Sequence, residues 1–337
     1  MHLLVQFLQL IGGEFLDLLA RWDELEPTDI KDIQSNFDDL FMLAEMAVAS
    51  GRDDVYSMVE SELSAAEIAT IELVKARLRG GDLESSVEAA LEIATTPESR
   101  DLTLEGRLRM ERGLVRFESG DIDGAKEDLT WAETRLGSVA KASRLHDISL
   151  LNKAALYMSC GEGIMALETY GRISRHGGHA NETIAISRMG AARIHAALGH
   201  RFDAVRNAWN AHAYSLLAKN RRLAIESGAI FIDLASIHQK EGAVLMHEQV
   251  EKAGPRNIDD PEPLLEVNPS DVGGVFEWCI ENLDEGVSGE NRVDLRAMLQ
   301  LAHRLDRMED VSFVIEQRDD IDDEILITML DSLSEEE

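Results

Sequence analysis

Cysteine is nearly missing from this chain. Cys160 and Cys279 are the only two in 337 residues, so no disulfide framework is available and a reducing compartment is expected. Proline is as scarce, with six in the whole length, which leaves little to interrupt long helices. Aromatic residues make up 5%. β-Branched and aromatic residues nowhere accumulate with period two, so strands are not signalled. Bases are outnumbered 33 to 64, for a formal net charge of -31. Such a chain repels phosphate backbones and anionic lipid surfaces, which excludes general nucleic-acid binding and membrane adsorption. Eight of the bases are lysine and the rest arginine. Acid excess with little lysine suits a salty or hot cytoplasm, and GC-rich coding would leave the same arginine bias.

Motifs that carry chemistry are missing too. There is no phosphate-cradling glycine loop, no GxSxG, no HExxH and no cysteine with a credible base. The stretch SGDIDGAKEDL, Ser119 to Leu129, alternates acids up to a glycine as a calcium loop does. With Gly124 at the sixth position, however, the twelfth is Thr130, where a bidentate carboxylate should close the cage. Asp121 and Asp123 alone fall short of the oxygens a calcium ion takes, so a turn into a helix is expected there. His176 and His179 stand three apart in RHGGH, with Cys160 as the nearest thiol, but a zinc site needs further ligands converging on them. DDIDDE, Asp319 to Glu324, has the Asp-Asp-x-x-Asp spacing of isoprenoid synthases, all-helical enzymes that hold magnesium against a diphosphate. That chemistry needs a second carboxylate cluster and an aromatic-lined cavity, and this run sits near an acidic terminus. The expectation is a non-enzymatic protein without metal or cofactor. A helical enzyme of the isoprenoid-synthase type is the alternative.

No hydrophobic run is long enough to span a bilayer. The opening MHLLVQFLQLIGGEFLDLL lacks a basic flank and a small-residue cleavage site, and Gln6, Gln9, Glu14 and Asp17 make it too polar to cross. Leu3, Leu4, Phe7, Leu8 and Ile11 instead form a helical stripe suited to capping, docking or self-association. A cytoplasmic location is expected.

What is present is a repeat. With 45% hydrophobic residues the chain can bury a large core, and four segments superpose on Gly81, Gly120, Gly161 and Gly199. Seven residues before each glycine stands Val74, Gly113, Ala154 or Ala192. Five after it stands Ser86, Ala125, Ala166 or Ala204. Nine after comes Ala90, Leu129, Tyr170 or Ala208, and twelve after Ile93, Ala132, Ile173 or Ala211. Glycine takes positive φ at little cost and ends a helix, while small residues either side let two helices cross closely. The later columns, at helical spacing, give an apolar face to the next hairpin.

These columns resemble the tetratricopeptide repeat, whose small eighth and twentieth positions correspond to Gly113 and Ala125, Ala154 and Ala166, Ala192 and Ala204. Its first-helix aromatic corresponds to Tyr157. The glycine spacings of 39, 41 and 38 residues exceed the family's period of roughly 34 and lean towards longer-period solenoids. The fold expected is all-α, an α-solenoid of antiparallel hairpins with extra helices at both ends. Residues 1–70 would hold N-terminal helices and one degenerate repeat, and 71–253 the repeat array. Residues 254–270, with four of the six prolines, read as a linker, and 271–337 as a C-terminal helical unit with an acidic tail.

The resemblance implies a protein-interaction scaffold without catalysis. One island departs from the acidic background: between Ile184 and Arg222 the charged residues are Arg188, Arg193, Arg201, Arg206, Lys219, Arg221, Arg222 and one acid, Asp203. In tetratricopeptide arrays first-helix positions line the concave face, which here places Ile148, Leu151, Met158, Ile186, Met189, Arg193 and Ala196 there. Asn152 matches the asparagine of the family's carboxylate-binding members, whereas Met110, Leu114 and Ile186 depart from the rest of that clamp. The expected partner is a protein or peptide with an acidic, partly apolar segment, met by Asn152, Met158, Met189, Arg193, Arg221 and Arg222. The competing reading is that the arginines neutralise acidic helices within the array.

Overall fold

The computed structural model describes residues 29–37, 39–98, 100–236, 238–239, 242–243, 271–283, 292–318, 321 and 323–334. The apolar N-terminal stripe and the segment 254–270 lie outside them. The chain divides into two compact units, Met1–Thr169 and Tyr170–Glu337.

The first unit contains α1 (Ile30–Asn36), α2 (Leu40–Ala49), α3 (Asp53–Val59), α4 (Ala65–Arg79), α5 (Leu83–Ala94), α6 (Leu102–Ser119), α7 (Ile122–Val139) and α8 (Arg144–Ser159). Helix α9 (Gly163–Gly171) runs across the division. The second unit contains α10 (Asn181–Ala197), α11 (Arg201–Leu217), α12 (Arg221–Ala235), α13 (Asp271–Glu281), α14 (Arg292–Arg304), α15 (Ser312–Glu316) and α16 (Glu324–Ser334). Among the described residues its strand content is one short antiparallel pair, β1 (His238–Gln239) with β2 (Gly242–Ala243). The protein is all-α in class.

Sequence neighbours pack in order. In the first unit α4 pairs with α5 and α6 with α7, and the first helices touch in succession, α4 on α6 and α6 on α8. In the second unit α10 pairs with α11 and also reaches α12. Contact between alternate as well as consecutive helices is the packing of a solenoid, in which each hairpin buries its apolar face on the next.

Local chemistry accounts for where the helices start and stop. Several acids serve as caps: Asp39, Asp82, Asp101 and Asp121 each accept a backbone N–H from the first turn of the helix they precede. Ser64 and Glu67 form a reciprocal capping box at α4. Each such cap contributes about 1 kcal/mol. SGDIDGAKEDL is therefore a turn running into α7: Gly120 ends α6 with φ of 90°, and the Asp121 side chain accepts from Gly124 N at 3.0 Å. Gly161 and Gly199 take the same left-handed conformation. The small columns are buried as expected, with Ala125, Ala154, Ala166, Ala192 and Ala204 wholly inaccessible. At Gly113 a Cβ would lie 3.1 Å from Leu129 Cγ, which is the close crossing the column implied.

The first hairpin corrects the alignment. Gly80, not Gly81, carries the positive φ and caps α4. Seven residues before it is Leu73, which is buried, while Val74 is only partly so. In α5 the buried residues are Val87, Ala90, Leu91 and Ala94 rather than Ser86 and Ile93. The doubled glycine lengthens the turn and rotates both helix faces relative to a count from Gly81.

Residues from 271 onward do not form a core of their own: Val272, Phe276 and Cys279 of α13, Leu295 and Leu299 of α14, and Leu326 of α16 share one apolar cluster with Trp209, Phe231 and Ile232. The prolines mark a break in chain texture, whereas the apolar face of α13 finds its complement on α12.

Within the second unit the end of the Tyr170 ring packs against α10 at Gly190. A Cβ on Gly190 would sit 2.5 Å from Tyr170 Cζ. Gly190→Ala is expected to cost about 1–3 kcal/mol through overpacking. Combined with Tyr170→Leu, it should cost less than the two changes summed, which urea titration of the four proteins measures.

Candidate functional site

The residues expected to meet a partner divide between the units. In the first, Met158 is exposed near the end of α8, but Asn152 is 8% exposed and packs inside, as do Ile148 and Leu151. In the second, Met189 is 6% exposed and belongs to the interior, and Ile186 is half-buried. Arg193, Arg221 and Arg222 are exposed. The template positions assume open faces, whereas Asn152 and Met189 are buried.

The island residues are largely engaged within the second unit. Arg188 donates to the Ile173 carbonyl at 3.1 Å, and Arg221 donates through Nε to the Asn282 carbonyl. Arg206 lies 3.8 Å from Asp203. Arg193 reaches across from α10 to Glu226 of α12 at 2.8 Å, with both side chains about half exposed. Pairs of that kind contribute no more than about 1 kcal/mol and exchange readily for another carboxylate. Arg222, four residues before Glu226 on α12, is exposed and makes no ion pair among the described residues.

The first unit treats its arginines differently. Arg107 of α6, 6% exposed, grips Glu45 of α2 through both terminal nitrogens. Burial opposes its charge, and Glu45, with Glu111 and Asp39, more than offsets that, so its pKa is raised. Arg77 meets Glu111 at 2.5 Å. The centre of this chemistry is Asp128 on α7, wholly inaccessible, which faces a stripe of three arginines on α6. Arg112 forks onto it at 2.7 and 2.8 Å, Arg116 donates at 2.9 Å and Arg109 at 3.4 Å. Glu88 of α5 takes the remaining Arg112 nitrogen at 3.0 Å, and buried Glu105 accepts from Arg109 at 3.4 Å. Bidentate, charge-assisted contacts of this sort are the strong ones. Trp131 lies against the same cluster, its ring 4.3 Å from the Arg109 guanidinium and 5.3 Å from that of Arg135.

Sequence reasoning did not anticipate this knot, although a signal existed. Arg109, Arg112 and Arg116 are spaced by three and four, one stripe of α6. Asp128 stands one residue before the buried Leu129 column, an acid inside an apolar face.

The other candidate chemistries are placed as follows. His176 is exposed and His179 buried. Cys160 is the half-buried C-cap of α8. Of the Asp-rich run, Asp323 is described. It accepts from the N–H groups of Ile325 and Leu326 at 3.0 and 3.1 Å and pairs with Arg296. Arg296, and then the Leu326 N–H, hold its carboxyl below the usual range. That carboxylate caps α16. Among the described residues no helix is long and apolar enough to cross a membrane.

Compared with protein-family models, with curated proteins and with solved structures, this chain has no match.

Proposed function

We propose that the protein is a helical-repeat interaction module of tetratricopeptide-like hairpins, and that α10 and α12 of the second unit receive an acidic, partly apolar peptide segment. The observation that carries this reading is Arg222, exposed and unpaired by any described carboxylate in a chain of net charge -31. Beside it the Arg193–Glu226 pair is weak enough to open for an incoming carboxylate. Half-buried Ile186 on α10 and Ile230 on α12 supply apolar area on the same two helices. Arginine forks onto carboxylates with defined geometry, which gives such a segment a register. Stacked hairpins present extended surfaces of this kind for peptides.

A peptide-display selection against the purified chain tests it. Enriched sequences should combine aspartate or glutamate with apolar residues. Binding of a selected peptide should weaken by about 2 kcal/mol or more in the Arg193→Glu, Arg222→Glu double variant, because docking desolvates the pair. It should also weaken as salt rises. Enrichment of basic or purely apolar sequences, or binding indifferent to both substitutions and to salt, would assign the arginines to charge balance within the unit.

A further inference from the structure

Helix α11 is enclosed on every side: from Ala204 to Ser215 every residue except Arg206 is buried. A helix buried all round is ordinarily apolar, yet this one carries Asn207, Asn210, His212 and Ser215 inside. Asn207 and Ser215 donate to backbone carbonyls one turn back, at 2.8 and 2.7 Å. His212, 3% exposed, places Nδ1 at 2.8 Å from the Ala224 carbonyl of α12. A carbonyl only accepts, so Nδ1 carries the proton and the neutral ring leaves Nε2 bare.

The surroundings of the ring define a junction between three helices. Trp278 of α13 meets it edge-on, with centroids 5.4 Å apart, and Trp209 lies at 6.5 Å. Gly228 of α12 leaves the space that makes this fit: a Cβ there would lie 3.1 Å from His212 Nδ1 and 2.8 Å from Cys279 Sγ. The histidine, the Cys279 thiol and Trp278 thus share the place where α13 seats on α11 and α12.

Several acids on the neighbouring elements are already paired with other residues. Glu226 of α12 pairs with Arg193, Asp233 of α12 with Arg304, and Glu277 of α13 with Arg307. On α10, Glu182 accepts from Asn220 at 2.6 Å, and on α11 itself Asp203 lies by Arg206. Among the described residues the titratable group facing the ring is the Cys279 thiol. An imidazolium formed here would be buried without a counter-ion, which costs far more than burying the neutral ring.

We propose that His212 is an acid-sensitive latch, whose protonation at Nε2 unseats α13 from α11 and α12 and opens the junction that hides Cys279. Burial lowers the His212 pKa, and the Ala224 carbonyl offsets part of that. The direction follows from linkage. Above an ordinary histidine pKa of about 6.5 the closed and open forms are both neutral and the latch holds. As pH falls below that value, the open form binds a proton that the closed form refuses, so opening gains up to about tenfold per pH unit until the closed-state pKa is reached.

Thiol accessibility reads the opening directly. In the Cys160→Ser chain, Cys279 is the single thiol, and 4,4′-dithiodipyridine modifies thiols in acid as well as at neutrality. Rates are referred to the urea-unfolded chain at the same pH, which removes the intrinsic thiol titration. Cys279 should be protected at about pH 7.5, and its relative rate should rise about fivefold between pH 6.5 and 5.5 with far-UV circular dichroism unchanged. His212→Gln, which cannot be protonated, should abolish the rise, and His212→Asn is the second neutral variant should the first fail to fold. Protection that persists through this range overturns the latch. So does an acceleration that survives in a folded neutral variant, or one that tracks loss of helicity over the whole chain.

Discussion

Asp128→Ala is expected to destabilise the first unit by about 3 kcal/mol, towards the lower end of the range for breaking a buried ion pair. The substitution leaves Arg109, Arg112 and Arg116 converging on an empty site inside the α6–α7 hairpin. Their side chains retain 16 to 29% exposure, so water recovers part of the lost solvation and keeps the cost from reaching the top of that range. Asp128→Asn keeps the shape and some hydrogen bonds while removing the charge, and should fall between the two. Urea denaturation should show a lower midpoint at unchanged slope. A midpoint that does not move for Asp128→Ala would mean that the knot is incidental to the hairpin.

Phe276→Ala should be at least as damaging. The ring is wholly buried on α13 and belongs to the cluster shared with Phe231 and Ile232. Truncating a buried phenylalanine costs about 3–5 kcal/mol from lost transfer energy and the cavity left behind. Because residues on α13 and α14 share their core with α11 and α12, hydrogen exchange should accelerate in peptides from 181–235 as well as from 271–304. Acceleration confined to 271–304 would show that the C-terminal helices form an independent layer.

The fold was legible in this sequence to the extent that local chemistry sets it. Glycine with small residues at fixed offsets requires a reversing turn and a close helix crossing, and Gly120, Gly161 and Gly199 show both. The count failed at Gly80 and Gly81, where either residue satisfies the pattern and only three-dimensional packing selects between them. It was blind to turns closed without glycine: Ala142, between α7 and α8, and Lys219, between α11 and α12, take positive φ with ordinary side chains. Proline content reports chain stiffness and says nothing of which apolar faces match, so the cluster that α13 shares with α11 and α12 could not be read from it.

The candidate site was legible only in part, for a related reason. Charge surplus can be counted along a chain, but pairing is a property of space. Seven bases within 39 residues looked like one surface, and the structure sends Arg188 and Arg221 to backbone carbonyls and Arg193 to Glu226. Met189 and Asn152 fell at surface positions of a repeat template yet are buried, since the template says nothing of how tightly successive hairpins stack. The knot around Asp128 escaped because its partners come from α5, α6 and α7, which no single window contains.

The measurement that bears most directly on the functional reading is a charge-swap binding experiment. A peptide selected on the parent chain is titrated against the Arg193→Glu, Arg222→Glu variant, alongside a version of that peptide with its acids replaced by lysine. The parent should bind the acidic peptide and refuse the basic one, and the variant should reverse that preference, because complementarity across this face sets the specificity. An unchanged preference for the acidic peptide in the folded variant would contradict the account.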